Sequence, residues 1–291
     1  MDALPTTVES KSPTTVGSRL IITLLSDFGL HDSFVAQMKG VILTINPLAT
    51  LVDITHLITP YNVVEAALTL ESGFSVFPAG TIHLAVVDPG VGSGRRPIVV
   101  VTEDYFFVGP DNGIFSCVYR QVKGDFKVYH ATASEYLRTS IGKTFHGRDI
   151  FAPICAHISN GIEAENLGHR IDDFVTLDIP TPTVDVTCRV VRGQVIYIDH
   201  FGNCITNIDE RAINAALQDV SLGEMRVVFR DKEVPFTGCY QEAGHLQLSA
   251  LINSSGLLEL FVNQASASGQ FDISIGQRLM VKKEFFLISY G

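Results

Sequence analysis

Apolar residues follow two alternating spacings along the first 170 residues of the chain. The runs LIITLLSDF, TLVDIT and TIHLAVVD have the length and continuous apolar character of buried strands, and PIVVVT and YFFVG resemble them. By contrast, SFVAQMKGVILTINP, NVVEAALTLESGFSVF and DIFAPICAHISNG have helical spacing and end at prolines or at a glycine. This alternation predicts an α/β domain with a largely parallel central sheet.

The pattern changes at LDIPTPTVDV, where prolines and small polar residues indicate a linker. Short strand-like segments follow, including RVVRGQVIYID, MRVVFRDKEVPF, GLLELFVN and QRLMVKKEFFLIS, with one helical pattern in DERAINAAL. We therefore predict an N-terminal α/β domain over residues 20–180 and a smaller antiparallel β-barrel domain over 186–291. Residues 1–19, rich in Ser, Thr and Pro, are expected to form a flexible extension.

Composition narrows the class of protein. Lys and Arg number 21 against 31 Asp and Glu, a net charge of −10, which argues against nucleic acid or an anionic membrane as partner. The five cysteines are odd in number and have no CxxC spacing, which argues against a disulfide framework and a zinc site. Since the sequence also shows no signal peptide and no membrane-spanning run, we expect a soluble cytoplasmic protein.

Candidate chemistry lies where strands end. In an open α/β sheet ligands bind at the carboxyl edge, and Asp27 and Asp88 each follow a predicted strand. Asp27 has an alternative role as a helix cap or turn former. The glycines of DPGVGSG allow either close approach to a ligand or a simple turn, and GVGSGRR is not a known phosphate loop.

A histidine in TFHGRDIFAP completes a possible cluster. His146 precedes a predicted helix, and with Asp88 and Arg95 it would bring an imidazole, an acid and a cation together. Such a group can bind a water molecule, remove its proton and stabilise the hydroxide. The alternatives are that His146 caps or packs and that Arg148 and Asp149 are ordinary charges. We interpret VGPDNGIFS as a turn without a ligand.

The second predicted domain offers polar side chains after strands. IYIDHFGNCITNI carries Asp199 and Asn203, and an asparagine amide can pair with an adenine edge. LINSSGLLEL carries Ser254, whose hydroxyl could bind a carboxylate. Both segments are also consistent with plain turns.

Six segments occur in one order: LLSDFGLHDSFVAQMKGVI, VVDPGVGSGRRPI, VGPDNGIFS, TFHGRDIFAP, IYIDHFGNCITNI and NSSGLLELFVN. Together they resemble the S-adenosyl-L-methionine hydroxide adenosyltransferase family, which is related to the fluorinase and chlorinase enzymes. The resemblance implies an α/β domain and a β-barrel, assembled as a homotrimer with sites between subunits. It implies attack of water or hydroxide at the ribose C5′ of S-adenosylmethionine, giving adenosine and L-methionine, with no cofactor and no metal.

The resemblance also assigns roles to residues. The water-activating set falls on Asp88, Arg95 and His146, and the loop spacing from Asp88 favours Arg95 over the adjacent Arg96. Which of Asp88 and His146 takes the proton stays open. The residues implied in substrate binding are Asp27 and Ser33 for the ribose, Asp199 for the methionine ammonium group, Asn203 for the adenine, Ser254 for the carboxylate, and the backbone around Asn263 for the adenine.

Two other functions remain open. A halide-using relative would make a 5′-halo-5′-deoxyadenosine, and the resemblance places Gly147 at the halide-contacting position, where the chlorinase also has glycine. Against it, Asp88 stands where the fluorinase has tyrosine, and Ser255 replaces an arginine of its methionine site. The other possibility is a non-catalytic protein that binds S-adenosylmethionine or a nucleoside, and the presence of Asp88, Arg95 and His146 argues against it.

Overall fold

A mixed sheet forms the centre of the N-terminal part of the protein. In a computed structural model that describes residues 21–122, 126–218 and 224–283, the chain divides between Leu177 and Asp178 into two compact units. The predicted extension 1–19 lies outside the described residues, as does the end of the QRLMVKKEFFLIS segment. The strands of the first unit are β1 Ile21–Ser26, β2 Thr50–Thr55, β3 Ile82–Val86, β4 Pro97–Thr102, β5 Phe106–Pro110, β6 Phe126–Ala131 and β7 Gly168–Ile171.

The sheet has the strand order β2-β1-β3-β5-β4-β6-β7. The pairs β1–β2, β1–β3 and β3–β5 are parallel, whereas β4 is antiparallel to both β5 and β6, and β7 is antiparallel to β6. Five strands therefore run in one direction, which agrees with the predicted largely parallel sheet. Ser26 pairs with Val86 in the register of β1 and β3, so Asp27 and Asp88 follow their strands at the same edge.

Helices cover both faces of this sheet. They are α1 Phe34–Ile45, α2 Val63–Gly73, α3 Ser116–Gln121, α4 Ala152–Ser159 and α5 Ala164–Leu167. One buried cluster joins α1 and α4 to one side of the sheet, and a second joins α2 and α3 to the other. Alternate residues of β3 serve the two clusters because side chains along a strand point to opposite faces. Prediction missed α3, α5, β6 and β7 because short elements give a weak periodic signal.

The C-terminal unit is an antiparallel sheet that nearly closes on itself. Its strands are β8 Thr183–Asp185, β9 Val190–Ile198, β10 Cys204–Asp209, β11 Met225–Phe229, β12 Lys232–Val234, β13 Leu248–Ile252, β14 Leu257–Val262 and β15 Arg278–Lys283. They follow the order β12-β11-β15-β9-β10-β14-β13, with β8 paired to β9. A bridge between Phe236 and Ala250 brings the two ends of this order together. The unit also contains α6 Glu210–Ala216 and α7 Ala267–Phe271.

Two features of the sequence prediction need correction or restatement. The segment LDIPTPTVDV is not a plain linker, because it contains β8, which pairs with β9. The segment expected to start a helix at Asp149 instead begins with a π-helical turn, Gly147–Phe151, that leads directly into α4. Among the described residues, no helix has both the length and the apolar character needed to cross a bilayer.

Candidate active site

Asp88 lies just beyond the end of β3, at the start of the loop that leads to β4. Turns shape this loop, with hydrogen bonds from Val91 N to the Asp88 carbonyl and from Ser93 N to the Gly90 carbonyl. Gly92 has a φ of +78°, and a Cβ atom there would lie 2.6 Å from the Lys143 carbonyl oxygen. Only glycine permits both the left-handed conformation and this close approach. The Asp88 loop is thereby packed on the segment that carries His146.

Asp88, Arg95 and His146 form one hydrogen-bonded cluster. Arg95 Nε lies 3.0 Å and 2.9 Å from the two Asp88 carboxylate oxygens, and a second guanidinium nitrogen also donates to that carboxylate. The same nitrogen lies 2.7 Å from His146 Nδ1. The Asp88 and Arg95 side chains are only 6% and 9% exposed. The structure therefore brings together the three residues that the sequence proposed as a water-activating set.

The hydrogen bond between Arg95 and His146 fixes the proton position on the imidazole. A guanidinium can only donate, so Nδ1 accepts, and the neutral ring carries its proton on Nε2. Burial lowers the pKa of His146 below its usual value, and the charge of Arg95 lowers it further, against the Asp88 and Asp149 carboxylates. Neutral imidazole is consequently the favoured form beside this cation.

The adjacent Arg96 has different partners. Its Nε lies 2.9 Å from Asp111 Oδ2, and its Nη1 lies 2.7 Å from Asp173 Oδ1. Asp111 is buried and also accepts a hydrogen bond from Val175 N. Arg96 thus stabilises the turn in VGPDNGIFS, whereas Arg95 belongs to the cluster. In the same turn, Asn112 Nδ2 donates to the Val87 carbonyl at 2.8 Å, which fixes the backbone next to Asp88.

Asp149 has a structural importance that the sequence analysis missed. The side chain is fully buried and accepts hydrogen bonds from Arg138, from Arg148 and from the Gly142 backbone. Burial by itself would raise the pKa of Asp149, but the hydrogen bonds from Arg148 and Gly142 hold it below its usual value. The alternative that Arg148 and Asp149 are ordinary charges is therefore wrong. They anchor the segment on either side of His146.

The two predicted ribose-binding residues lie after β1. Asp27 Oδ2 accepts a hydrogen bond from Tyr61 N at 2.9 Å. The alternative of a helix cap does not apply, because Ser33 occupies the N-cap position of α1. Ser33 is exposed, and its hydroxyl accepts a hydrogen bond from Gln37 Nε2. Both side chains precede α1, and their roles stay predictions.

The predicted residues of the C-terminal unit lie in turns. Asp199 Oδ1 accepts hydrogen bonds from Phe201 N and Asn203 N, and Asp199 Oδ2 accepts one from Asn203 Nδ2 at 3.1 Å. Ser254 is exposed between β13 and β14, and Asn263 directly follows β14. The Asp199 and Asn203 side chains thus already bond to each other, as in the turn alternative. Their substrate roles stay predictions.

A buried acid in the C-terminal unit was not foreseen. Glu259 accepts hydrogen bonds from the Tyr240 hydroxyl at 2.9 Å and from Asn253 Nδ2 at 3.2 Å. Burial raises the pKa of Glu259, against the hydrogen bonds from Tyr240 and Asn253. Asn253 Oδ1 in turn accepts from Ser255 N and Leu257 N, so this network holds the turn that carries Ser254. The charge pattern gave no signal of it, because one acid in an apolar strand is indistinguishable from an outward-facing residue.

The first unit is an α/β unit with an acid–arginine–histidine cluster beyond the carboxyl end of β3. An antiparallel barrel-like unit follows it in the chain, and together they define a two-domain class of protein. The family model of the SAM hydroxide adenosyltransferase N-terminal domain matches residues 22–168. The model of the SAM hydroxide adenosyltransferase C-terminal domain matches residues 193–280. The chain belongs to the SAM hydroxide adenosyltransferase family.

Individual relatives agree with this assignment. The chain is 36% identical to an (R)-S-adenosyl-L-methionine hydrolase of Methanocaldococcus jannaschii, covering 84% of this chain and 90% of the relative. A fluorinase of Nocardia brasiliensis is more distant, at 28% identity over 92% of this chain and 99% of the fluorinase. The crystal structure of an uncharacterized conserved protein from Thermotoga maritima superimposes with a TM-score of 0.83 at 34% identity, covering 90% of this chain and all of that one.

Proposed function

We propose that this protein hydrolyses S-adenosyl-L-methionine to adenosine and L-methionine. The observation that carries the proposal is the partly buried, hydrogen-bonded cluster of Asp88, Arg95 and His146 in a chain of this family. The relatives named as hydrolases of this substrate, at 31–36% identity, support the same reaction.

The reaction makes its main demand on the nucleophile. The oxygen of a water molecule forms a bond to C5′, the C5′–S bond breaks, and its electron pair stays on sulfur. Sulfur leaves as a neutral thioether, so the leaving group needs no proton. Water attacks poorly until it loses a proton, and a positioned base contributes about 10²–10⁴-fold to the rate of such a step. The proton released from water must therefore have an acceptor in the site.

Asp88 is the proposed acceptor of that proton. The lone pair of His146 Nδ1 already accepts a hydrogen bond from Arg95, and the neutral ring presents Nε2–H as a donor. The Asp88 carboxylate accepts from Arg95 and retains further lone-pair positions for a water molecule. Arg95 stabilises the developing hydroxide by its charge, and His146 orients the oxygen. The low exposure of the Asp88 and Arg95 side chains strengthens their interactions relative to bulk water.

Substrate binding and assembly follow the family resemblance. In this proposal Asp27 and Ser33 bind the ribose, Asp199 the ammonium group, Asn203 and the backbone near Asn263 the adenine, and Ser254 the carboxylate. The protein acts as a cytoplasmic homotrimer with sites between subunits and without a cofactor. Light scattering on the purified protein tests the trimer.

Halide chemistry is less well supported. A Cβ atom at Gly147 would lie 3.0 Å from Met38 Sδ and 3.2 Å from the Phe28 ring, so little room remains for a side chain at the predicted halide position. This crowding does not separate hydrolysis from chloride use, since the resemblance gives the chlorinase a glycine at the same position. A halide also needs no base, which would leave Asp88 without a chemical role.

A product assay tests the proposal. The purified protein is incubated with S-adenosylmethionine, with and without chloride, and the products are separated by liquid chromatography with mass detection. We expect adenosine and methionine in equal amounts under both conditions. A halogenated nucleoside that forms only with chloride would contradict hydrolysis, as would the absence of product above spontaneous breakdown.

A further inference from the structure

A chain of hydrogen bonds through Lys39, Asp53, His56 and Ser26 runs from the surface to the end of β1. Lys39 Nζ lies 2.6 Å from Asp53 Oδ2, and Asp53 Oδ1 lies 3.0 Å from His56 Nε2. His56 Nδ1 lies 2.7 Å from the Ser26 hydroxyl, which also accepts a hydrogen bond from Phe28 N. Ser26 and His56 are buried, whereas Lys39 and Asp53 are partly exposed.

The donors and acceptors of this chain are fixed in one direction. Hydrogen bonds from Lys39 and His56 hold the pKa of Asp53 below its usual value, although burial by itself would raise it. The ionised Asp53 accepts a hydrogen bond from His56 Nε2–H. The neutral ring then has a lone pair on Nδ1, which acts as an acceptor. The Ser26 hydroxyl must then donate to Nδ1, and its lone pair accepts Phe28 N–H. Every polar group in the chain has a partner in this arrangement.

A serine–histidine–aspartate sequence of bonds can also indicate a nucleophile, but this geometry does not support one. Ser26 is fully buried, so a substrate has no access to its oxygen. The imidazole bonds to Ser26 through Nδ1 and to Asp53 through Nε2, the reverse of the arrangement in serine hydrolases. Ser26 is held as a structural donor.

The chain of hydrogen bonds ends at the loop that carries Asp27. Besides the contact from Phe28 N to Ser26, Gly29 N donates to the His56 carbonyl at 2.7 Å. Asp27 Oδ2 accepts from Tyr61 N in the loop that follows His56. The side chain and the backbone of His56 therefore bind the residues on both sides of Asp27.

From this geometry we infer that His56, oriented by Asp53 and Lys39, is a positioning residue that sets the Asp27 carboxylate for recognition of the ribose hydroxyls, an inference that rests on the proposed function. The effect passes through Ser26 and the backbone of Phe28 and Gly29. Hydrogen bonds from one carboxylate to two neighbouring hydroxyls depend on its exact position. A displaced Asp27 carboxylate therefore loses affinity for the ribose hydroxyls.

A second histidine that bonds to a hydroxyl of β1 supplies matched controls. His83 is as deeply buried as His56, and its Nδ1 lies 2.7 Å from the Thr23 hydroxyl of β1. Thr23 lies in the middle of β1, away from the Asp27 loop. Ser26→Ala and Thr23→Val therefore each remove one hydroxyl–imidazole contact, at the end and in the middle of β1. His56→Phe and His83→Phe remove the two imidazoles, of which His56 also bonds to Asp53.

The experiment measures recognition of the ribose hydroxyls in the full-length protein. Calorimetry gives the Kd for adenosine and for 2′,3′-dideoxyadenosine. The Kd for 2′,3′-dideoxyadenosine divided by the Kd for adenosine reports on the contacts to the two hydroxyls. We expect His56→Phe and Ser26→Ala to reduce this ratio by about tenfold, in the direction of Asp27→Ala, with both controls retaining it. Asp53→Asn keeps an acceptor for His56 and should lose less. In an Asp27→Ala background, His56→Phe should change the ratio no further.

Three outcomes would overturn the inference. A wild-type ratio in His56→Phe and Ser26→Ala, with the ratio lost in Asp27→Ala, would contradict positioning and leave the proposed function intact. Equal losses in the His83→Phe and Thr23→Val controls would show a general effect of core substitutions. A wild-type ratio in Asp27→Ala would contradict the ribose role of Asp27 itself, and the inference with it. If His56→Phe does not fold, Ser26→Ala and Asp53→Asn decide.

Discussion

The two units hold their candidate residues in opposite ways. In the N-terminal unit, Asp88, Arg95 and His146 come from segments that are 7 and 51 residues apart, and they meet as partly buried charged and polar groups. In the C-terminal unit, Asp199 and Asn203 belong to one turn and bond to each other. The first arrangement exists only in the folded protein, whereas the second is nearly complete in a five-residue segment.

This difference predicts how substitutions act. Removing one member of a buried ion pair leaves an unpaired charge, which costs about 3–5 kcal/mol. Changing a residue in a local turn costs about 1 kcal/mol, because nearby backbone and water replace the lost hydrogen bond. The N-terminal cluster should therefore respond to substitution in both stability and turnover, and the C-terminal turn chiefly in affinity.

The largest effect is expected from Asp88→Asn. The amide keeps the size of the side chain but loses the charge that faces Arg95 and the ability to accept a proton. Turnover of S-adenosylmethionine should fall about 10²–10⁴-fold. Asp173→Asn is a matched control, since Asp173 pairs with the adjacent Arg96 but is exposed. Methionine release measures the rate, and near-normal turnover by Asp88→Asn would show that another group accepts the proton.

His83 is a buried titratable group in the N-terminal unit that lies outside the Asp88, Arg95 and His146 cluster, and it offers a second test of burial there. His83 is fully buried, its Nε2 has no hydrogen-bond partner among the described residues, and burial lowers its pKa to about 3. The unfolded chain binds a proton near pH 6.5, and the folded protein does not until about pH 3. The free energy of unfolding should therefore fall as the pH decreases through this window, by up to about 1.4 kcal/mol per pH unit.

The test compares denaturant unfolding of wild type and His83→Phe between pH 7 and pH 4. The substitution should remove this share of the pH dependence, and His31→Phe, which changes a fully exposed histidine, should leave it in place. Equal slopes for wild type and His83→Phe would mean that His83 is protonated without penalty. Burial alone would then not separate it from the paired groups of the cluster.

A smaller effect is expected from Asp199→Asn. The amide oxygen still accepts the backbone hydrogen bonds of the turn, but the negative charge is lost. A hydrogen bond to a charged group contributes about 1.5–3 kcal/mol, so the affinity for S-adenosylmethionine should fall roughly tenfold or more. Adenosine lacks the ammonium group and should lose less affinity, only as much as the weakened bond between Asn203 Nδ2 and residue 199 costs. Calorimetry with both ligands checks this, and parallel losses would assign Asp199 a structural role only.

Sequence patterns were sufficient for elements with a clear period and for residues at strand ends. The strand–helix alternation predicted the sheet, and the positions of Asp27 and Asp88 after β1 and β3 followed from it. The sequence could favour Arg95 over Arg96 only by loop spacing. The structure separates them because successive residues entering a strand point to opposite sides.

Other features depend on tertiary contacts that no local pattern contains. The sequence leaves open that Asp149 is an ordinary charge, because its burial depends on Arg138 and on the Gly142 backbone, which the fold brings to it. His56 was missed because its partners Ser26 and Asp53 lie on separate strands. In the C-terminal unit the turn chemistry of Asp199 and Asn203 was visible in the sequence, since its contacts are local.

The smallest expected effect concerns the packing of the Asp88 loop on the His146 segment. At Gly92, an alanine would combine a left-handed backbone with a Cβ atom 2.6 Å from the Lys143 carbonyl oxygen. Gly94 lies in the same loop, and apart from its chain neighbours no described residue comes within 4 Å of its Cβ position, so it is the matched control. Gly92→Ala should lower the free energy of unfolding by about 1–2 kcal/mol and turnover a few-fold, whereas Gly94→Ala should change neither. Denaturant unfolding and methionine release measure the two effects. If both variants behaved alike, the cluster would not depend on contact between the two loops, and its geometry would have to come from the Asp88–Arg95 ion pair alone.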